Sequence, residues 1–305
     1  ADGEVLLPLD VDSVVAAATR LVHGGVEGLV VAFMNSYANP AHELEAREII
    51  AARWPDLFVT CSAQVLPVYR EFERTSTAAL NAYVQPVVQR YMTHLETELR
   101  ERGLIAGVHV MQSNGGIMSS EVARQKPAFM IESGPAAGVL AAARLGKETG
   151  LDKVLSFDMG GTTAKACLIE DGLPAEKAAG EIGGGGNVST HQFYKGGHAL
   201  RVPSLDIVEV GAGGGSIAWI DDGGALRVGP HSAGAVPGPA CYARGGSKPT
   251  VTDANVLLGR INPESITGSE DSADLERVRA LFADAAASRP EDTSSANTRP
   301  NHKER

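Results

Sequence analysis

Along the first part of the chain the apolar positions alternate between helical and strand periods. In DVDSVVAAATRLVHG (10–24), Val11, Val14, Val15, Ala18, Leu21 and Val22 fall on one helical face. Asp10 or Asp12 fits an N-cap there, and Gly24 fits the stop. GLVVAF (28–33) is a short continuous apolar run that suits a buried strand. Pro40 opens a second helical stretch, HELEAREIIAARW, and LFVTC (57–61) follows as another strand. Helix, strand, helix, strand with short loops predicts an α/β segment that ends near Val65–Pro67.

From Glu71 to Arg102 the sequence is long, polar and helical in period, with Pro86 placed to kink or divide it. Its charges read as a solvated helix face. GVHVMQS (107–113) predicts a strand and SNGGIM (113–118) a tight turn. IESGPAAGVLAAARLG (131–146) reads as a strand end, a glycine turn and an Ala-rich helix able to pack closely on a sheet. VLSFDM (154–159), GGTTA and KACLIED read as strand, turn, strand. Residues 180–247 are dense in glycine and lack helical period, so they predict loops and short strands. A short helix is expected at 273–287, and a structureless polar tail after it.

Composition narrows the function classes. The chain has 305 residues, 43% hydrophobic and 21% charged, which fits one large or two ordinary folded domains. Its 27 basic and 37 acidic side chains give a net charge of −10, without the basic stripe of a nucleic-acid binder. No apolar run approaches the ~20 residues that span a bilayer. Three cysteines, Cys61, Cys167 and Cys241, are too scattered for a disulfide framework, so a reducing cytoplasm is the expected compartment.

The strongest local signal is Asp158-Met-Gly160-Gly161-Thr162-Thr163 between two strand-like runs. Paired glycines let the backbone approach a ligand closely, and successive N–H groups in such a turn form an anion-binding concavity. Thr162 and Thr163 add hydroxyl donors, and an aspartate at the strand end suits Mg²⁺. These features fit a phosphate with its metal. A plain hairpin turn with Asp as a turn residue fits the same letters. GAGGGS (211–216) follows the strand-like LDIVEV but leads into SIAWIDDGG, a strand and turn, where a dinucleotide fingerprint needs a helix. A P-loop, a zinc helix around His42-Glu43 and a nucleophile elbow are all missing from the sequence. His191, His198 and His231, with Asp206 and Asp253, form a conceivable metal set. Cys241 reads as a packed, inert thiol more readily than as a nucleophile.

SNGGIM (113–118), ESGPAAG (132–138), FDMGGTTAK (157–165), RVPSLDIVEVGAGGGSIAW (201–219), VGPHSAGAVPGPACY (228–242) and PTVTDANVLLGR (249–260) together resemble the hydantoinase A / 5-oxoprolinase family, which includes acetone and acetophenone carboxylase subunits. VAFMNSYANPAHE (31–43) resembles the end of that family's N-terminal domain. The resemblance implies an actin-like ATPase (ribonuclease H-like) α/β fold of two lobes, incomplete in this chain. It implies residues 1–66 as the end of the N-terminal domain, 67–268 as a partial hydantoinase/oxoprolinase domain and 269–305 as a divergent tail. It also implies ATP and Mg²⁺ as cofactors, and activation of a cyclic amide of the hydantoin or 5-oxoproline type by phosphorylation of its carbonyl oxygen. The carboxylase branch acts instead on a carbonyl compound.

By this resemblance Asp158 is the catalytic and metal-holding carboxylate. Gly160, Gly161, Thr162 and Thr163 form the phosphate turn, and Gly134, Gly213, Gly214 and Gly215 line the cleft. A second, hydantoinase B-type subunit is the expected partner. Family members open with a first glycine-threonine phosphate loop and carry a glycine-rich segment near the C-terminus. Neither pattern is found here, so the chain reads as the middle of such a subunit. A sugar- or acetate-kinase-like phosphotransferase shares the DxGGT logic, and a truncated, non-catalytic remnant is the remaining alternative.

Overall fold

The computed structural model describes residues 3–182, 197–266 and 275–287. The chain separates into two compact units. One comprises Ala1–Ser156 and Ala166–Val208; the other comprises Phe157–Lys165 and Glu209–Arg305.

The first unit opens as its apolar periods predict. Helix α1 (Val11–His23) is capped by the Asp10 side chain, which accepts from Ser13 N–H at 3.1 Å. Strands β1 (Gly28–Val31) and β2 (Phe58–Cys61) pair in parallel, with helix α2 (Ala41–Arg53) between them in sequence. Ala18, Leu29, Val31, Ala46, Ile50 and Cys61 form one core, joined by Val14, Leu44 and Trp54. Val11 and Leu21 of the expected helical face stay exposed, so the buried stripe is narrower than the sequence pattern suggests.

After the one-turn helix α3 (Ser62–Val65), helix α4 (Glu71–Glu101) runs 31 residues without a break at Pro86. The expected division at Pro86 does not occur. The inward face of α4 is unusual, because Arg74, Thr77 and Asn81 are buried beside Ala78 and Ala82. The small residues let β1 come close: a Cβ at Gly28 would lie 3.5 Å from the Ala82 carbonyl oxygen. Strands β3 (His109–Met111) and β4 (Ile117–Ser119) form a hairpin, closed where Gly115 takes φ +84°.

A short helix α5 (Ser120–Gln125) leads to a 3₁₀ turn at Pro127–Met130, and Ile131–Glu132, where the sequence suggests the end of a strand, form a turn instead. Helix α6 (Ser133–Thr149) then begins directly, and Gly134 sits in its first turn instead of in a preceding loop. The alanines of α6 pack as expected, with Ala136, Val139 and Ala143 against Cys167, Ile169 and Leu205. Gly146 permits the closest approach, since a Cβ there would lie 2.7 Å from Val154 Cγ2.

Strands β5 (Lys153–Met159) and β6 (Ala164–Glu170) flank the DMGGTT turn and carry the chain from one unit to the other and back. Short strands follow: β7 (Leu173–Pro174), β8 (Glu176–Lys177), β9 (Gly180–Ile182), β10 (His198–Leu200), β11 (Ser204–Leu205) and β12 (Val208–Val210). Strands β12, β6 and β5 lie in that order in one sheet, with β7 against β6.

The second unit is built on the antiparallel pair β13 (Ser216–Ile220) and β14 (Leu226–Ser232), with a bulge between Ser216 and Ala218. Helices α7 (Val251–Leu257) and α8 (Leu275–Ala287) pack around Ala240, Cys241, Val256 and Val278. Among the described residues no helix is long and apolar enough to cross a membrane. The expected structureless tail after α8 lies outside the described residues.

Candidate functional site

Strand β5 delivers Asp158 one residue before its end, and the turn is closed by Gly160 N–H donating to Thr163 O at 2.9 Å. Asp158, Gly160, Gly161 and Thr162 are exposed and Thr163 is half-buried. Among the described residues the Asp158 carboxylate accepts no hydrogen bond and makes no ion pair. The N–H groups of Gly161 and Thr162 likewise have no acceptor. Two adjacent open amides in the same turn as an uncommitted carboxylate are the donor set that an anion with its cation would require.

The glycine run between β12 and β13 explains how the turn keeps its shape. Gly214 N–H donates to Gly160 O at 2.8 Å and Gly215 N–H to Gly161 O at 2.6 Å. Gly213 N–H donates to Ser216 Oγ at 2.8 Å, and Ser216 N–H returns to Gly213 O at 3.0 Å. All three glycine amides are therefore spent inside the protein. The reason these positions lack side chains is equally local. A Cβ at Gly213 would lie 2.6 Å from Thr162 C and Thr163 N, and one at Gly215 would lie 2.9 Å from Gly161 O. The run backs the DMGGTT turn with its own backbone; its amides are not open to a ligand.

The structure thus brings Asp158, Gly160–Thr163 and Gly213–Gly215 together within one unit. Gly134 belongs to the other unit, where it is exposed, with no atom within 4 Å of a Cβ placed on it.

The suggested histidine and aspartate metal set does not form. Among the described residues no three His, Cys, Asp or Glu side chains gather, and His191 lies outside those residues. Asp253 is fully buried and already accepts from Ala240 N, Cys241 N, Thr250 N and Thr250 Oγ1 at 2.8–3.2 Å. A carboxylate with that many donors is a structural hub. Asp206 lies 3.9 Å from Lys177 Nζ in the other unit.

The three cysteines are buried. Burial, reinforced by the neighbouring Asp253, pushes the Cys241 thiol up to about 12, and burial with Glu43 pushes Cys61 up to about 11. Cys167 is raised by burial as well. Nucleophilic attack needs the thiolate, so a raised value removes reactivity at neutral pH. At pH 8 an aromatic disulfide reagent is expected to label none of the three in the native chain and all three after denaturation. Prompt labelling of native Cys241 would contradict this.

One constellation escaped the sequence reading. Arg74 and Glu43 are both fully buried. Arg74 is not part of a solvated face. Its guanidinium donates to Ser62 Oγ at 3.0 Å, Val68 O at 3.2 Å and Phe33 O at 2.6 Å. Glu43 accepts from Ser62 Oγ at 2.7 Å, Ala63 N at 2.9 Å and Phe33 N at 2.8 Å. The two loops that follow β1 and β2 are thereby tied to one buried cluster. Charge alternation along α4 gives no hint of which residue turns inward.

The chain is a mixed α/β protein with a braced DxGGT turn, and comparison with known proteins narrows its class. The hydantoinase/oxoprolinase family model matches residues 74–296, and the hydantoinase/oxoprolinase N-terminal region model matches residues 1–53. The chain belongs to the hydantoinase/oxoprolinase family. It is 38% identical over 282 residues to caprolactamase subunit alpha of Pseudomonas jessenii, covering 92% of this chain and 38% of that one. It is 34% identical to the acetophenone carboxylase gamma subunit of Aromatoleum aromaticum, covering 87% of this chain and 35% of the relative. The solved nucleotide-free acetone carboxylase superposes with a TM-score of 0.73 at 29% identity, over 92% of this chain and 39% of that one. The chain therefore spans about two fifths of the length of these relatives. Both sequence relatives carry names that mark them as subunits of larger enzymes.

Proposed function

We propose that the chain is the phosphate-handling part of an ATP-dependent enzyme subunit with an actin-like ATPase fold, and that it opens a cyclic amide after phosphorylation of the amide oxygen. The observation that carries this reading is the pair of open amides at Gly161 and Thr162, braced from behind by the glycine run. The cradle fits a polyphosphate. It is backbone-lined, it carries no side chain at Gly160 and Gly161, and the exposed Asp158 precedes it on β5. Asp158 would hold Mg²⁺ directly or through water, and Thr162 and Thr163 hydroxyls add donors to phosphate oxygens.

Bound ATP supplies the phosphoryl group that makes the oxygen of an otherwise poor electrophile a good leaving group. The protein's share is positioning and charge neutralisation: fixed amides need no reorganisation when negative charge builds up. The similarity to a caprolactamase subunit favours a cyclic amide as substrate, of the hydantoin or 5-oxoproline kind. The similarity to an acetophenone carboxylase subunit supports a second reading, carboxylation of a ketone. Bicarbonate dependence of ATP hydrolysis separates the two. In either case a second subunit of hydantoinase B type completes the enzyme.

The deciding experiment is MgATP titration by calorimetry, on the wild-type chain and on Asp158→Ala. The wild type is expected to bind. The substitution should weaken binding by about 10- to 100-fold, the worth of one charged contact, with unchanged thermal unfolding. Equal affinity in the two proteins would remove Asp158 from the site and the reading with it.

A further inference from the structure

The hydrogen bonds behind the phosphate turn run through whole peptide units, and this gives a side chain outside the turn a role. The Gly214 carbonyl and the Gly215 N–H belong to one peptide unit. Thr252, in the first turn of α7, donates twice to that carbonyl: from its N–H at 2.8 Å and from its Oγ1 at 2.9 Å. The opposite end of the same unit, Gly215 N–H, donates to Gly161 O at 2.6 Å. Gly161 O in turn belongs to the peptide unit whose N–H is that of Thr162, one of the two open amides.

A parallel chain serves the other open amide. Ser216 N–H donates to Gly213 O at 3.0 Å, and Gly214 N–H, in the same peptide unit, donates to Gly160 O at 2.8 Å. The N–H of that next unit is Gly161's. Each bond in such a series polarises the next, with condensed-phase strengthening of about 10–30% per bond. Both outward-facing donors thus sit at the ends of peptide relays that start on the second unit's own framework.

We infer that Thr252 is a positioning residue for the phosphate turn, its hydroxyl orienting and polarising the Thr162 N–H through the Gly214–Gly215 peptide. This rests on the reading of the turn as a phosphate site. Three further observations support it. Thr252 is held by its helix: the Thr250 and Asp253 capping box fixes the first turn of α7, and Asp253 also accepts from the Ala240 and Cys241 N–H groups. Thr252 Oγ1 lies only 2.7 Å from where a Gly214 Cβ would be, so glycine at 214 is what admits the hydroxyl. Of the groups feeding the two relays, the Thr252 hydroxyl is the side-chain donor, and substitution can remove it without touching backbone.

The test is Thr252→Val, which keeps shape and the backbone bond, beside Thr252→Ser, which keeps the hydroxyl. Two readouts are needed. In the wild-type chain and both variants, the Thr162 amide proton shift by NMR reports polarisation without any ligand. The MgATP dissociation constant reports the site. Thr252→Val is expected to move the Thr162 amide upfield and to weaken MgATP by about 2- to 5-fold, the worth of a fraction of one hydrogen bond. Thr252→Ser should restore both.

An unmoved Thr162 amide in Thr252→Val overturns the inference, as does unchanged MgATP affinity. Should the wild type fail to bind MgATP, the functional reading falls, while the amide shift still decides the relay by itself. If Thr252→Val does not fold, Thr252→Cys, of similar size and a much weaker donor, is read in the same way.

Discussion

Gly213→Ala is expected to destabilise the second unit by about 1–3 kcal/mol or more, the cost of overpacking, and to abolish measurable MgATP binding. The added methyl would sit 2.6 Å from Thr162 C and Thr163 N and 2.7 Å from Gly160 O. All three neighbours are backbone, so relief comes only by moving the turn itself. No strained φ contributes, because Gly213 is not among the left-handed glycines. The loss is therefore steric and falls on the backbone that carries the two open amides. Thermal unfolding together with calorimetry checks it, and wild-type values for both would show that the turn yields freely.

Gly134→Ala is the matched contrast. It lies inside the first turn of α6 with open space around it, where alanine favours the helix by up to about 1 kcal/mol. A stable Gly134→Ala chain that loses activity would mean a ligand comes close to that glycine.

That contrast also shows what was legible in the sequence. The elements with clean periods, α1, β1, α2 and β2, stand where their apolar spacing puts them. The DMGGTT turn lies between two strands as written. The glycine run at 211–215 is equally visible as a run, yet what it meets is not. A missing side chain says that something is close without saying what, and here it is the turn's own backbone.

Other departures have similar causes. Pro86 sits in α4 without dividing it, since the helix is long enough on either side for packing to hold it together. Ile131–Glu132, read as the end of a strand, instead form the turn between the 3₁₀ segment and α6. Asp253, read as a possible metal ligand, is consumed by four donors that only the folded chain assembles. Periodicity reports which face is buried on average, and it is blind to a polar residue placed among the buried ones with its partners supplied from elsewhere.

Arg74 is the sharpest case of that blindness, and its replacement has the largest effect expected on the first unit. Arg74→Met is expected to cost about 3–5 kcal/mol, the range for removing one member of a buried charged cluster. The methionine fills similar volume, so the loss is electrostatic. Glu43 would remain fully buried with Ser62 and two amides as its donors but without a cation behind them, and the Phe33 and Val68 carbonyls would each lose a donor. Because the cluster joins the loops after both parallel strands, the damage should be global for that unit, with urea unfolding shifted to a lower midpoint at unchanged slope.

The double variant Arg74→Met, Glu43→Gln discriminates a charge effect from a packing effect. If the two buried charges compensate each other through Ser62, removing both costs less than the sum of the single changes, by a coupling of about 0.5–3 kcal/mol. Strict additivity, or a single Arg74→Met variant within about 0.5 kcal/mol of wild type, would mean that the cluster is held by shape alone. The loops after β1 and β2 would then owe their conformation to the apolar contacts around them.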